Sequence, residues 1–400
     1  MTSHLRSLLK RVFCASVVLA LSAGAAHSPE EATLETGGPI VAEYGFLCGC
    51  YTTTMGHVDG RGKSIGIYTL DAQTGSIRKR GESPPIVNSS HFCLGRHQRF
   101  LYSISEFDEY EGSRDGYLTV LAVDAGSNAL SQVHTISSAG PGPAYVSLDR
   151  SGRYVLLANY VAGNVVVYPI QVDGRLGRPT ANVKHSGSSV NRDRQEGPHP
   201  HAIVASPDNQ FVYVPDLGTD EIVAYRFDEA TGELSPAPKL NVAAPPGSGP
   251  RHLVFAPSGK WAFVSLELSS EVMSLAYDGA ALKEQGRYST LPADFNGSNT
   301  CAEVRIAPDG RHVYVSNRGH DSIAVFTVDS ASGALNRMAV TSSQGNIPRN
   351  FAISPDGRWL VAANQDSHTL VSFRRDPETG RLDSGSKIDS PSPAFISFFD

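Results

Sequence analysis

Apolar residues along this chain recur as pairs of short runs joined by a tight turn. In GPRHLVFAPSGKWAFVSLELSS, residues 249–270, two such runs flank the turn Pro-Ser-Gly. Short runs rich in Val, Phe and Leu on either side of a Gly-containing turn predict a β-hairpin. The glycine supplies a residue that tolerates positive φ where the chain reverses.

This hairpin repeats at a nearly constant interval. Each copy is followed by a third apolar strand, such as EIVAYRFD, and by a polar fourth segment. Successive copies are 54, 57, 50, 51 and 47 residues apart, measured at the aligned positions Phe100, Tyr154, Phe211, Trp261, His312 and Trp359. A period near fifty with four short strands per unit is typical of a β-propeller. After residue 26 no convincing helical periodicity is seen, which excludes a helical solenoid.

The two ends of the repeat region complete each other. YGFLCGCYT, near residue 44, resembles a second strand with no first strand before it, and SPAFISFF, near the C-terminus, resembles a first strand with no second strand after it. Pairing the C-terminal strand into the N-terminal blade would remove two open sheet edges. We therefore predict an all-β fold over residues 41–400, a seven-bladed β-propeller of four-stranded antiparallel blades closed by this pairing.

Polar residues occur where the predicted first strands begin and the second strands end. In a propeller the first strand lines the central channel and the second runs antiparallel to it, so these positions share one face of the disc. The opposite face receives only turns such as PDN, PSG and PDG, which look structural. The residues expected at the polar mouth are His91, Glu106, Asn159, Tyr160, His199, His201, Asp216, Arg251, Glu267, Arg318, Arg349, Asn364 and Gln365.

A mouth with arginines, a glutamate and a histidine suggests an anionic, oxygen-rich ligand. Arginine offers a planar fork to a carboxylate or phosphate and can stabilise an oxyanion, while glutamate or histidine can act as a general base on water. Other interpretations stay open. Arg251 and Glu267 could form an exposed rim ion pair, His201 a buried hydrogen-bonded residue, and His199 a loop residue. Inter-blade hydrogen bonds are an alternative role for Asp216, Asn364 and Gln365.

The first residues have the pattern of an export signal. Arg6, Lys10 and Arg11 precede a short apolar run, and small residues follow at Ala23–Ala25. This pattern predicts a signal peptide over residues 1–26 and a linker over 27–40, with an uncleaved anchor as the alternative. The mature protein would then be exported, periplasmic or secreted, and free of the membrane.

Composition narrows the classes of partner and cofactor. The net charge is −6, from 34 basic and 40 acidic residues, and no basic run stands out, which argues against nucleic acid as a partner. Cys48, Cys50, Cys93 and Cys301 lack the spacing of a zinc site. A bridge between Cys48 and Cys50, two apart on one strand, would be strained, so we expect free buried thiols or at most one disulfide.

Four long segments resemble the seven-bladed β-propeller lactonase family, which includes bacterial 6-phosphogluconolactonases and fungal carboxymuconate lactonising enzymes. They are GPHPHAIVASPDNQFVYVPDLGTDEI, GPRHLVFAPSGKWAFVSLELSS, AEVRIAPDGRHVYVSNRGHDSIAVF and PRNFAISPDGRWLVAANQDSHTLVSF. The resemblance implies a catalytic set of His201, Arg251, Glu267 and Arg318, around which we expect His199, Asp216, Arg349 and Gln365 to bind substrate. Leu266 stands where the family often has Asn, which leaves the support of Glu267 open.

The resemblance also implies an activity. A member of this family would open a sugar-acid lactone, or catalyse the reverse reaction, without a metal or other cofactor, so the expected partner is a small lactone or acidic sugar. A phosphorylated sugar lactone is a cytoplasmic metabolite, so an exported member is expected to act on an unphosphorylated lactone. The alternative is a non-catalytic exported propeller that binds a ligand or protein. A calcium-dependent propeller lactonase would instead need a channel centre rich in carboxylates.

Overall fold

A computed structural model describes residues 42–399 except 108, 110, 111 and 113. The predicted signal peptide and linker lie outside these residues. Within them no helix is long and apolar enough to cross a membrane. Apart from strands, the regular elements of the described residues are two short 3₁₀ helices, Arg96–Gln98 and Pro238–Leu240.

The chain forms seven antiparallel sheets around a central channel, which confirms the predicted propeller. The first blade contains β1 Glu43–Cys50, β2 Gly66–Asp71 and β3 Ile77–Glu82. The second contains β4 Phe92–Leu94, β5 Phe100–Ser105, β6 Tyr117–Val123 and β7 Leu130–Ser137. The third contains β8 Pro143–Leu148, β9 Tyr154–Asn159, β10 Asn164–Pro169 and β11 Ala181–Lys184.

The fourth blade has its outermost strand position filled by two short strands that both pair with the third strand. Its strands are β12 Val204–Ala205, β13 Phe211–Asp216, β14 Glu221–Phe227, β15 Leu234–Pro236 and β16 Val242–Ala243.

The fifth, sixth and seventh blades are regular four-stranded sheets. The fifth contains β17 Pro250–Phe255, β18 Trp261–Leu266, β19 Glu271–Tyr277 and β20 Leu282–Ser289. The sixth contains β21 Thr300–Ile306, β22 His312–Arg318, β23 Ser322–Val328 and β24 Leu335–Ser342. The seventh contains β25 Pro348–Ile353, β26 Trp359–Asn364, β27 Thr369–Arg375 and β28 Leu382–Asp389.

The last strand, β29 Pro393–Phe398, closes the ring as predicted. It pairs antiparallel with β1 and completes the first blade, with Phe46 opposite Phe398 and Cys48 opposite Ile396. On the outer side of the same closure, Trp359 of the seventh blade donates a hydrogen bond from Nε1 to the carbonyl of Ala72, at 2.9 Å. The ring therefore closes through both strand pairing and side-chain contact.

The core lies between blades rather than at one centre. The seven larger apolar clusters of the described residues each combine residues of neighbouring sheets, as where Leu156 and Val165 of the third blade pack with Val212 of the fourth. The second strand β9 is buried along its whole length, whereas in the outer strand β20 only Leu282 is buried and the other residues are half-buried or exposed. This difference explains why the fourth segment of each repeat is polar.

The hairpin turns have the predicted backbone. Gly259 and Gly310 adopt φ of 67° and 73° in the turns between first and second strands. At the other end of these hairpins, the register brings Pro250 opposite Leu266 and Thr300 opposite Arg318. The start of each first strand therefore lies beside the end of its second strand. We call the channel opening on this face the upper mouth, and the opening on the face of the turns the lower mouth.

Candidate active site

Glu267 is the centre of the upper mouth. It follows β18, is 2% exposed, and its two carboxylate oxygens are shared among three guanidinium groups. Arg251 Nε lies 2.9 Å and Arg318 Nη2 3.0 Å from Oε2, and Arg194 Nη2 lies 2.7 Å from Oε1. The structure thus brings Arg251, Glu267 and Arg318 together as predicted. It excludes the exposed rim ion pair, because Arg251 and Glu267 are both buried.

The three arginines differ in their access to solvent. The side chain of Arg251 is 3% exposed, that of Arg318 13% and that of Arg194 39%. Arg318 also donates a hydrogen bond from Nη2 to the carbonyl of Cys301, at 3.0 Å. Arg251 therefore lies behind the carboxylate, whereas Arg318 and Arg194 can reach a ligand.

This clustering sets the charge state of the site. Burial alone would raise the pKa of Glu267, but Arg318, Arg251 and Arg194 together hold it well below its usual range. Burial and the neighbouring Arg318 lower the pKa of Arg251 to about 10. Near neutral pH the cluster therefore contains one carboxylate and three guanidinium groups and remains positively charged.

His201 lies next to this cluster, before β12. It is 7% exposed, and its ring centroid is 5.2 Å from that of Tyr160 and 5.3 Å from that of His252. Its Nδ1 is buried and has no hydrogen-bond partner in the described part of the chain. Burial, Arg251 and His252 lower the pKa of His201 well below its usual value. The imidazole is therefore neutral near pH 7, and one of its ring nitrogens carries no proton.

A second ion pair lies across the mouth. Arg349, just inside β25, has Nη2 3.7 Å from Glu106 Oε1, and its guanidinium lies 5.1 Å from the ring centre of Tyr51. Tyr51 donates a hydrogen bond from its hydroxyl to Glu106 Oε2 at 2.9 Å, and Ser90 donates to the same oxygen. The Arg349–Glu106 contact is long, so Arg349 is less tightly neutralised than Arg251.

The loop between β1 and β2 brings His57 to the same region. Its ring packs edge-on against Tyr51, with centroids 5.3 Å apart. Gln365 donates a hydrogen bond from Nε2 to the carbonyl of His57, at 3.3 Å. Burial and the nearby Arg349 lower the pKa of His57 to about 4. His57 is thus a second neutral imidazole at the upper mouth.

Three of the residues predicted to bind substrate hold other parts of the site instead. Asp216 is fully buried; its carboxylate pairs with His185 Nδ1 at 2.7 Å and accepts the backbone N–H of His199 at 2.7 Å. His199 stacks on Tyr160, with ring centroids 4.3 Å apart, and contacts the Tyr160 carbonyl through Nδ1 at 3.0 Å.

Gln365, the third, is 1% exposed and supports the His57 loop. The geometry therefore favours a supporting role for Asp216, His199 and Gln365 over ligand contact, whereas Arg349 remains a candidate for binding. Of the other polar residues expected at this mouth, Asn159 and Asn364 donate to the carbonyls of Ser138 and Ser343, which belong to the preceding blades, so Asn364 forms an inter-blade hydrogen bond.

Leu266 does not support Glu267 through a polar contact. It is fully buried in the apolar cluster between the fourth and fifth blades. Arg194, Arg251 and Arg318 contact the carboxylate of Glu267. They provide the polar support that was expected from an asparagine at position 266.

Two functional candidates were missed by the strand pattern, Arg194 and His57. Both lie on long connections without periodicity, between β11 and β12 and between β1 and β2. Tyr51 was also missed, although it follows β1 just as Glu267 follows β18. The rule that found Glu267 would have found Tyr51 as well.

Below the upper mouth the channel is almost closed. It narrows to a cavity of about 10 Å³ lined by His91, Arg251 and Phe395 among others. His252 Nδ1 lies 3.2 Å from Glu303 Oε2, and Glu303 Oε1 lies 3.2 Å from Arg305 Nε. A buried polar chain thus runs from Arg251 and His252 towards the lower mouth. A cavity of about 510 Å³ lies beside the upper mouth, bordered by His57, Glu106 and Tyr160.

The cysteines form no disulfide in the described residues. Cys48, Cys50 and Cys301 are buried free thiols and Cys93 is partly buried, as expected. Burial raises the pKa of Cys50 to about 11, so its thiol is protonated and unreactive near neutral pH. Among the described residues no group of three or more His, Cys, Asp or Glu side chains is arranged to hold a metal ion.

Comparison with known proteins agrees with this architecture. Residues 46–398 match the family described as lactonase, 7-bladed beta-propeller. The chain belongs to this lactonase family. It is 36% identical over 343 residues to the 6-phosphogluconolactonase of Bacillus subtilis, a match that covers 84% of this chain and 95% of that protein.

Solved structures of similar proteins have the same fold. The Pseudomonas aeruginosa periplasmic gluconolactonase has a TM-score of 0.83 and 34% sequence identity, covering 90% of this chain and 99% of that one. A Lactobacillus plantarum protein has a TM-score of 0.81 and 32% identity, covering 90% and 100%. The lactonase family thus accounts for nearly the whole described chain.

Proposed function

We propose that this lactonase-family chain hydrolyses the lactone of an unphosphorylated sugar acid at its upper mouth. The observation that carries the proposal is the buried Glu267 surrounded by Arg194, Arg251 and Arg318, beside His201, whose Nδ1 has no hydrogen-bond partner among the described residues. The 6-phosphogluconolactonase and gluconolactonase among its relatives support the reaction class.

His201 is the better candidate for the base. Both oxygens of Glu267 already contact guanidinium groups, which makes this carboxylate a weak acceptor of protons. The pKa of His201 is also lowered, but its ring is neutral and its Nδ1 has no hydrogen-bond partner in the described residues, so its nitrogens are not occupied by cations as the oxygens of Glu267 are. Glu267 would instead hold the three arginines in place, and its charge would keep them together in a buried site.

The reaction balances with these groups alone. Water attacks the lactone carbonyl carbon while His201 accepts a proton from that water. The oxygen of the tetrahedral intermediate carries the negative charge, which Arg318 and Arg194 stabilise. The ring C–O bond then breaks, and the imidazolium of His201 returns its proton to the departing alkoxide. The product is an open hydroxy acid, which releases one proton to solvent at neutral pH.

Export favours the unphosphorylated substrate. The N-terminal pattern of Arg6, Lys10 and Arg11 before an apolar run supports a periplasmic or secreted protein, where phosphorylated sugars are not the expected metabolites. The similar Pseudomonas aeruginosa protein is a periplasmic gluconolactonase, which supports this assignment. Cell fractionation and N-terminal sequencing of the mature protein would test export, and a cytoplasmic protein beginning at Met1 would contradict it.

A small lactone panel tests the activity. Glucono-1,5-lactone, galactono-1,4-lactone and the 6-phosphorylated gluconolactone are compared by proton release in a pH-stat, after subtraction of spontaneous hydrolysis. We expect the unphosphorylated lactones to be the better substrates, and His201→Asn to lower kcat by about 10²–10⁴-fold. No hydrolysis of any lactone by the wild type would favour the non-catalytic binding module.

A further inference from the structure

A large cavity lies at the lower mouth of the described chain, away from the proposed active site. It has a volume of about 990 Å³ and is enclosed by the ends of first strands and the turns that follow them. Ligand pockets in proteins span about 300–1,000 Å³. From the sequence, the turns on this face were expected to be structural. The proposed lactonase mechanism uses groups of the upper mouth, so it does not explain this cavity.

Arg305 presents an oriented guanidinium group to this cavity. Its Nε lies 3.2 Å from Glu303 Oε1, and its guanidinium carbon is 5.9 Å from the ring centre of Phe395. Glu303 is itself 3% exposed and is held by Asn350 and His252. The described structure shows no hydrogen bond from the Arg305 guanidinium, and Arg305 lines the cavity with its side chain 32% exposed, so its N–H groups are available to a ligand there.

Two further donors lie in the same cluster. The ring of His91 lies between those of Tyr145 and Phe395, with centroids 4.2 and 3.8 Å away. Its Nδ1 accepts a hydrogen bond from the Val146 backbone N–H at 3.4 Å, so the ring proton belongs on Nε2. That Nε2 is buried and has no hydrogen-bond partner among the described residues. The hydroxyl of Tyr145, which also lines the cavity, is the second donor.

Apolar and polar groups contribute about equally to the wall of this cavity. Its apolar part includes Phe395, Leu148 and Ile353, which line the cavity together with Arg305, Tyr145 and His91. The carboxylate of Glu303 is occupied by its own partners and adds no free acceptor. Donors beside an apolar stretch of wall complement an oxyanion attached to an apolar body.

We propose that the lower mouth is a second binding site, which takes a small monocarboxylate with an apolar body. The carboxylate pairs with the free edge of the Arg305 guanidinium, with Tyr145 as a supporting donor, and the body packs against Phe395. The site is independent of lactone hydrolysis and does not rest on the proposed function.

Phenylacetate is a suitable probe, with phenylacetamide as its uncharged counterpart. Isothermal titration calorimetry with the full mature protein should show saturable binding of phenylacetate and binding of phenylacetamide weaker by about tenfold or more. Arg305→Met should weaken phenylacetate binding by about 10–100-fold. Arg305→Lys, which keeps the charge but loses the fork, should give an intermediate affinity.

Matched variants separate the two mouths. Arg318→Met changes only the upper mouth and should leave phenylacetate affinity unchanged. Tyr145→Phe should weaken phenylacetate binding, and it tests the lower mouth if Arg305→Met proves unstable. Gluconate, a product-like acid of the upper mouth, should not compete with phenylacetate. The proposal is overturned if wild type does not bind phenylacetate, if Arg318→Met but not Tyr145→Phe weakens binding, or if phenylacetamide binds equally well.

Discussion

The two mouths of the same channel hold their charges in different ways. At the upper mouth Glu267 is shared by three arginines, two of which reach solvent. At the lower mouth Arg305 forms an ion pair with one buried carboxylate, that of Glu303, and lines a cavity whose wall is partly apolar and partly polar.

This difference arises from the loops that connect the strands at each mouth. The upper mouth receives long loops that carry Arg194 and His57, whereas the lower mouth receives mainly the short hairpin turns between first and second strands. Strand ends alone supply Arg251, Glu267 and Arg318, and a long loop adds Arg194, which completes a cluster suited to an oxyanion.

The largest loss of stability is expected when the closed ring of blades, which both mouths share, is opened. Deleting residues 391–400 removes β29, whose Phe395 and Ile396 are buried against neighbouring blades, and leaves β1 as an open edge. We expect a loss of several kcal/mol, a large part of the stability of a typical domain. Thermal unfolding followed by circular dichroism checks this, and a truncated protein that melts at the wild-type temperature would contradict the closure.

The next largest effect is expected when a buried charge of the upper mouth is removed, and it is compared with the removal of an exposed surface charge. Arg251→Ala removes the buried cation behind Glu267 and should lower kcat/KM by about 10²–10³-fold on the best lactone of the panel. Arg287→Met is a suitable control, because Arg287 forms an exposed pair with Glu284. An unchanged kcat/KM for Arg251→Ala would remove this residue from the mechanism.

A smaller effect is expected from the loop arginine. Arg194 is the most exposed of the three partners of Glu267. Arg194→Met should lower kcat/KM by about tenfold, while the free energy of unfolding changes by no more than about 1 kcal/mol, as for other partly exposed ion pairs. Equal losses of activity for Arg194→Met and Arg251→Ala would show that loop and strand contribute alike.

The smallest effect is a gradual dependence of stability on pH. Burial lowers the pKa of His91, His201 and His252 well below the usual value near 6.5. Below that pH the unfolded chain binds protons that the folded chain does not, so the folded state loses stability as the pH falls. The melting temperature should therefore decrease between pH 7.5 and 5, and less steeply in His201→Asn. A melting temperature independent of pH in this range would contradict neutral channel histidines.

Part of the site could be predicted because it follows strand register. Arg251, Glu267 and Arg318 lie at strand ends, where pairing such as Pro250 with Leu266 determines the face of the disc. Arg194 and His57 could not be predicted in this way, since no periodicity relates a long loop to a distant blade. Arg305 was missed because it lies within β21 and its exposure depends on the shape of the lower cavity.

The sequence by itself determined the number of blades, the hairpin turns and the closure by the last strand. These are local or repeating features, in which hydrophobic alternation and turn glycines act over a few residues. Only the tertiary structure decided which charges meet: the sharing of Glu267 among three arginines, the supporting role of Asp216, and the free guanidinium edge of Arg305. Such contacts depend on how seven sheets converge on one axis, and small changes in that convergence move side chains from different blades into or out of hydrogen-bond range.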